Sequence, residues 1–157
     1  MVELSGVSFG YQSDKNVLDN LNLRMEEGRF YGLLGMNGSG KTTLLKLIAG
    51  KLFAHGGEIY VDGRNLRERD VETLQKVFML PADFIFPNMS LEQFLAIYSE
   101  FYPEFRKEVL NDCLVNFEIQ RDIKNLNQLS LGEKHKVAFS IALSLGTKIV
   151  LLDEAAN

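Results

Sequence analysis

Residues 2–9 (Val-Glu-Leu-Ser-Gly-Val-Ser-Phe) alternate apolar and polar positions, the period of a strand with one face covered. Residues 21–25 (Leu-Asn-Leu-Arg-Met) alternate again, and Glu27-Gly28 marks a turn. Phe30 to Leu34 is a short, mostly apolar run, which predicts a buried strand. From Thr42 to Leu52 the period changes, with Leu44, Leu45, Leu47 and Ile48 at helical spacing. His55-Gly56-Gly57 then turns the chain into Glu58-Ile-Tyr-Val61, and Asp62-Gly63 is a hairpin-like signal. Residues 64–76 are charged and fit a surface helix or turn, and Lys76 to Leu80 is a further strand candidate stopped by Pro81.

Between Asp83 and Phe105 the composition shifts to seven aromatics in 23 residues. Ser90-Leu-Glu-Gln93 spells a capping box that opens a helix, which Pro103 ends or interrupts. Phe94, Tyr98 and Phe101 share one face of it. Two readings stand for these rings: the core of a small helical subdomain, or a hydrophobic cleft for a partner helix. A second helix spans Phe105 to Phe117, with Cys113 in its apolar stripe as a structural residue. A third, Lys134 to Leu145, follows a second capping box made by Ser130 and Glu133. Lys148 to Leu152 reads as a buried strand that ends in Asp153-Glu154.

Composition narrows the setting. The 157 residues suffice for one domain with a core. With 17 Lys+Arg against 21 Asp+Glu the net charge is −4, so the chain has no overall basic footprint for nucleic acid. A single cysteine permits no internal disulfide and suits a reducing compartment. No run approaches the ~18 apolar residues of a membrane span. These features point to a cytosolic protein whose membrane association comes through a partner.

The chemistry is concentrated in Gly35-Met-Asn-Gly-Ser-Gly-Lys-Thr-Thr43. Two glycines with four residues between them, then Lys and Thr, placed between a strand signal and a helix signal, form a phosphate-binding loop. Glycines let the backbone turn its N–H groups inward, and the helix N-terminus adds its positive dipole end. Lys41 brings a point charge for the β- and γ-phosphates, and the Thr42 hydroxyl can reach Mg²⁺. Tyr11 lies on the loop after the first strand, where a ring can stack on a base. Asp153 and Glu154 sit at the carboxyl end of a strand, the edge at which ligands bind in such folds. There the first acid can hold the Mg²⁺ water shell and the second can orient a water for attack on the γ-phosphate.

This order of parts (loop tyrosine, glycine loop, aromatic helical insertion, Leu129-Ser-Leu-Gly132, apolar strand with Asp153-Glu154) resembles the ATP-binding subunit of ABC (ATP-binding cassette) transporters. The resemblance implies an α/β fold: a P-loop NTPase core with a mostly parallel sheet and N-terminal antiparallel strands, over 1–82 and 147–157. A helical subdomain would be inserted at 83–146. It implies ATP and Mg²⁺ as ligands, with ATP hydrolysis driving a membrane transporter. Tyr11 would stack on adenine. Gly35, Asn37, Gly38, Ser39, Gly40, Lys41, Thr42 and Thr43 would hold the phosphates. Thr42 and Asp153 would serve the metal, and Lys41 and Glu154 catalysis, Glu154 as general base. Ser130 and Gly132 would cap the γ-phosphate bound by the opposite subunit of a head-to-tail homodimer or heterodimer. The remaining partner would be a transmembrane permease, with the chain peripheral on the inner face of the membrane and no nucleic acid involved.

Several positions depart from the family pattern. Ala82 stands where a glutamine is usual, Leu131 and Glu133 replace a glycine and a glutamine, and Ala155-Ala156 replace Pro-Thr. A carboxylate at 133 competes with an incoming triphosphate for the positive helix end. Phe101-Tyr-Pro103, Leu129-Ser-Leu-Gly132 and Lys134-His-Lys136 look most like bacterial ABC-type exporter ATPases. The family's switch histidine would follow Asn157, so the chain is expected to be a piece of a longer polypeptide. Alone it is expected to be marginally stable and without turnover. Two other classes stay open: a soluble cassette ATPase acting on nucleic acid or ribosomes, and a nucleotide-binding regulator without turnover.

Overall fold

Strand β1 (Val2–Phe9) is the centre of an antiparallel sheet in the computed structural model, which describes residues 1–12 and 14–153. The elements follow as β2 (Leu18–Met25), α1 (Lys41–Ile48), β3 (Gly56–Val61), β4 (Arg64–Asn65), α2 (Val71–Gln75) and β5 (Val77–Leu80). After these come α3 (Leu91–Phe101), α4 (Lys107–Asn116), α5 (Leu131–Ser144) and β6 (Ile149–Leu152), with short 3-10 turns at Leu66–Glu68 and Leu126–Gln128. The chain divides into two units, Met1–Met79 and Leu80 onward.

In the first unit the sheet order is β2-β1-β3-β4, each neighbour antiparallel. The alternation of residues 2–9 places Val2, Leu4, Val7 and Phe9 inside. They are joined in the buried core by Leu44, Leu45, Leu47 and Ile48 of α1, and by Ile59 and Val61 of β3. Each such side chain contributes roughly 1.5–3 kcal/mol when fully buried. The register of β1 against β3 slips between Ser5 and Ser8, and against β2 between Leu4 and Val7. Gly6, at φ 61°, sits in both slips. Gly57 has φ 74° and approaches so closely that a Cβ there would lie 2.4 Å from the Gly6 carbonyl oxygen. No residue with a side chain fits at that crossing.

The run Phe30–Leu34 differs from the expectation of a buried strand. Residues 30–34 belong to no named strand, and all five are exposed, Phe30 and Leu34 almost completely. Met36 is exposed as well. An apolar run signals a buried strand only where other strands lie on either side to take its N–H and C=O groups. Among the described residues no named strand pairs with this segment. Phe30→Ser with Leu34→Ser should therefore leave the melting temperature of the 157-residue chain within about 2 °C, since exposed substitutions cost under about 0.5 kcal/mol. Leu47→Ala, in a fully buried position, should cost about 2–5 kcal/mol by comparison. A loss from the double serine variant as large as that of Leu47→Ala would show that the segment is packed.

In the second unit both predicted capping boxes form. At α3, Gln93 N–H donates to Ser90 Oγ (3.1 Å) and Ser90 N–H donates to Gln93 Oε1 (3.0 Å). Leu91, Phe94, Leu110, Leu114, Leu126, Val137, Ile141 and Leu145 make the core. Arg106 N–H donates to Ser144 O (2.7 Å), tying the start of α4 to the end of α5. The aromatic stretch divides between the two readings. Phe86 and Phe94 are buried and meet edge to face (5.5 Å), and Phe94 stacks on Tyr98 (4.2 Å). Ile85, Ile97 and Phe101 face solvent, Phe101 at 61% exposure. Cys113 is half-buried, and burial, then the neighbouring Asp112 charge, pushes its thiol up from the ordinary value. Among the described residues, no helix is long and apolar enough to cross a membrane.

Candidate phosphate-binding site

Helix α1 begins at Gly40, whose φ of 93° and ψ of 8° are left-handed. A side chain here would be strained, and a Cβ would stand 3.1 Å from both Leu18 Cδ2 and Val17 Cγ1. Leu44 N–H closes the first helical turn on Gly40 O (2.8 Å). No side chain caps this end of α1, and its first turn carries no acid. The helices α2, α3 and α5 all have side-chain caps and an acid in the first turn. Helix α4 also lacks a side-chain cap but carries Glu108 in its first turn, so among the described α-helices α1 is the one whose start has neither cap nor acid, and the positive end of its dipole is open to an external anion.

Lys41 folds back over the loop. Its Nζ donates to Gly35 O (2.7 Å) and to Met36 O (2.9 Å). Ser39 N–H donates to Met36 O (3.2 Å) across the turn at Asn37-Gly38. The loop is therefore held shut on itself by the ammonium group, which keeps a further donor for a phosphate oxygen. Thr42 lies in the first turn of α1, and Thr43 beside it is buried.

Tyr11 is 62% exposed, and its hydroxyl lies 3.2 Å from Thr43 Oγ1. Phe9 meets the Tyr11 ring edge-on at 5.1 Å and is itself buried. The candidate base-stacking ring and the phosphate loop are thus joined directly. Sequence reasoning passed over Phe9, although its inward place in the alternation of β1 was a usable signal. His55 is exposed, with its ring 5.0 Å from Phe9.

The remaining site residues lie in the second unit. Ser130 is the N-cap of α5, and Gly132 stands exposed in its first turn. Glu133 closes the box tightly. Ser130 Oγ donates to Glu133 Oε2 (2.6 Å), and Ser130 N–H donates to the same oxygen (2.9 Å). The Ser130 hydroxyl bond first, then its backbone bond, holds the Glu133 carboxyl below the usual carboxylate range. The helix begins at Leu131, three residues before the predicted Lys134. Asp153 directly follows β6, with its N–H donating to Leu80 O (3.0 Å). Glu154, the expected general base, lies outside the described residues, as do Ala155 and Ala156.

The family model for ABC transporter matches residues 18–157. The chain belongs to the ABC transporter ATP-binding family. Among solved structures it is similar to a chain described as an ABC transporter ATP-binding protein from Pyrococcus furiosus, at 32% identity and a TM-score of 0.83, covering 98% of this chain and 75% of that one. It is also similar to an ATP-binding subunit of an ABC transporter, at 25% identity and TM-score 0.88, covering 99% and 67%. The third is the ATP-binding cassette MJ0796, a dimer in a post-hydrolysis state bound to ADP and Pi, at 27% identity and TM-score 0.81, covering 99% and 75%. The fold is accordingly the α/β fold of P-loop ATPase domains. ATP-binding cassettes bind ATP with Mg²⁺ and hydrolyse it.

Proposed function

We propose that this cassette binds Mg-ATP at Gly35–Thr43 and hydrolyses it to drive an exporter through a transmembrane permease. The observation that carries the reading is the uncapped start of α1, with Lys41 folded over a glycine loop that no acid blocks. Tyr11 takes the base, Gly35 and Asn37 to Thr43 the phosphates, and Lys41 the β/γ oxygens. Glu154 acts as general base. Ser130 and Gly132 reach the γ-phosphate held by the opposite subunit of a dimer.

Mg²⁺ suits the donors present, since a threonine hydroxyl and an aspartate are hard oxygen ligands. Thr42 and Asp153 would hold it, and its charge would offset that developing on the phosphates. Among the described residues no three or more His, Cys, Asp or Glu gather as a metal cluster. Most of the ion's shell would come from phosphate oxygens and water, the usual habit of Mg²⁺.

The architecture follows the same reading: a nucleotide core of 1–82 with 147–157, and an inserted helical subdomain of 83–146. Ile97 and Phe101, one turn apart on α3 and both exposed, offer a contact for the permease at the inner face of the membrane. The exporter direction rests on Phe101-Tyr-Pro103, Leu129-Ser-Leu-Gly132 and Lys134-His-Lys136. The net charge of −4 speaks against nucleic acid. Ile97→Glu with Phe101→Glu should abolish co-purification with the permease and permease-stimulated phosphate release, while Mg-ATP affinity stays within about twofold, because exposed changes on α3 leave the loop intact. Undiminished coupling in that variant would remove α3 as the contact.

A further inference from the structure

The hydroxyl of Tyr11 has a use that stacking on a base does not explain. A stacking platform needs only a ring, and phenylalanine supplies the same face. Here the ring is fixed at two places. Phe9, buried, meets it edge-on at 5.1 Å, and the hydroxyl at its far end reaches Thr43 Oγ1 at 3.2 Å. The rest of the ring is open, at 62% exposure. Thr43 is rigid by comparison, being buried in the first turn of α1 and next to Thr42. The segment carrying Tyr11 is otherwise held by Val17 N–H to Phe9 O (2.7 Å) and a long Lys15 N–H to Gln12 O contact (3.4 Å).

We propose that Tyr11 is a positioning residue whose hydroxyl, through Thr43, locks the base platform to the phosphate-binding helix before a nucleotide arrives. Thr43 has one O–H to donate and two lone pairs to accept with. A phosphate oxygen only accepts, so once the Thr43 O–H donates to it, Tyr11 becomes the donor to Thr43. The pair then runs Tyr11 O–H to Thr43 Oγ1 to phosphate, each bond polarising the next. The tether survives binding, and the ligand it favours carries both a flat base and a phosphate chain. This inference rests on the nucleotide reading of the loop.

The test compares Mg-ATP affinity of wild type, Tyr11→Phe, Thr43→Val, Thr43→Ser and the Tyr11→Phe combinations, in the intact protein. Tyr11→Phe keeps the ring and loses the tether, and should weaken binding about 3–10-fold, the scale of freeing one ordered side chain or losing one hydrogen bond. In a Thr43→Val background the same change should have no further effect, and in Thr43→Ser it should cost as much as in wild type. Hydrogen exchange of amides 10–17 in the nucleotide-free protein supplies a second readout that needs no ligand. Tyr11→Phe and Thr43→Val should speed it equally and should not add. Equal affinity for Tyr11→Phe and wild type, additive penalties, or tighter binding by Tyr11→Phe would each overturn the proposal. Failure of wild type itself to bind Mg-ATP would instead overturn the nucleotide reading, and the exchange data would still decide whether the tether exists.

Discussion

Replacing Lys41 by alanine should abolish Mg-ATP turnover and weaken Mg-ATP binding by about 30–150-fold, the loss of a charge-assisted contact of roughly 2–3 kcal/mol. The fold should survive. Lys41 is not part of the buried core, and alanine is the better helix former at the first position of α1. What changes in the free protein is local, because Lys41 Nζ is the group that bonds the carbonyls of Gly35 and Met36. The variant should therefore melt within a few degrees of wild type while the amides of 35–40 exchange faster. Calorimetric titration with Mg-ATP, phosphate release and a thermal melt measure the three parts. Wild-type turnover in Lys41→Ala would remove the phosphate role from this loop.

A loss of turnover without a loss of binding is expected from Glu154→Gln. A general base contributes about 10²–10⁴-fold, so hydrolysis should fall by that factor while ATP continues to bind. With cleavage blocked, the ATP-held dimer should accumulate and be visible by light scattering. Adding Ser130→Arg should dissolve it, since Ser130 lies exposed at the start of α5, where a bulky side chain would meet the opposite nucleotide. Adding Glu133→Gln should do the reverse. Glu133 holds the Ser130 hydroxyl and N–H in its own carboxylate, and its negative charge opposes the incoming phosphates. The amide keeps the cap and drops the charge, so dimer should form at lower ATP. A Glu154→Gln protein that stays monomeric at every ATP concentration would remove the head-to-tail arrangement or the role given to Glu154.

What could be read from the sequence was whatever is decided locally. The glycine spacing of 35–40, the two capping boxes and the alternation of β1 depend on neighbours within a few residues, and each formed as expected. The start of α5 was misplaced even though its cap was identified, because a cap at Ser130 already requires the helix to begin at Leu131. The polar opening of β2, Leu18-Asp-Asn20, hid three residues of a strand that pairing with β1 enforces. Phe30–Leu34 failed for a different reason. Its apolar run looks the same whether strands flank it or not, and flanking is settled by distant parts of a chain. The Tyr11–Thr43 bond joins residues 32 positions apart, a separation at which no periodicity carries information.

The crossing of Gly6 and Gly57 bears on how variation in such chains should be interpreted. With backbone atoms 2.4 Å from where a Cβ would stand, position 57 tolerates only glycine, while at Gly40, at the head of α1, a side chain would be strained. Selection would favour glycine at both, yet for unlike reasons: one shapes the glycine loop, the other lets two strands pass. Invariance across descendants of this sequence would thus be a poor guide to ligand contact. Tyr11 shows the converse, since phenylalanine in its place would look like a neutral exchange of rings while discarding the one atom that ties it to Thr43.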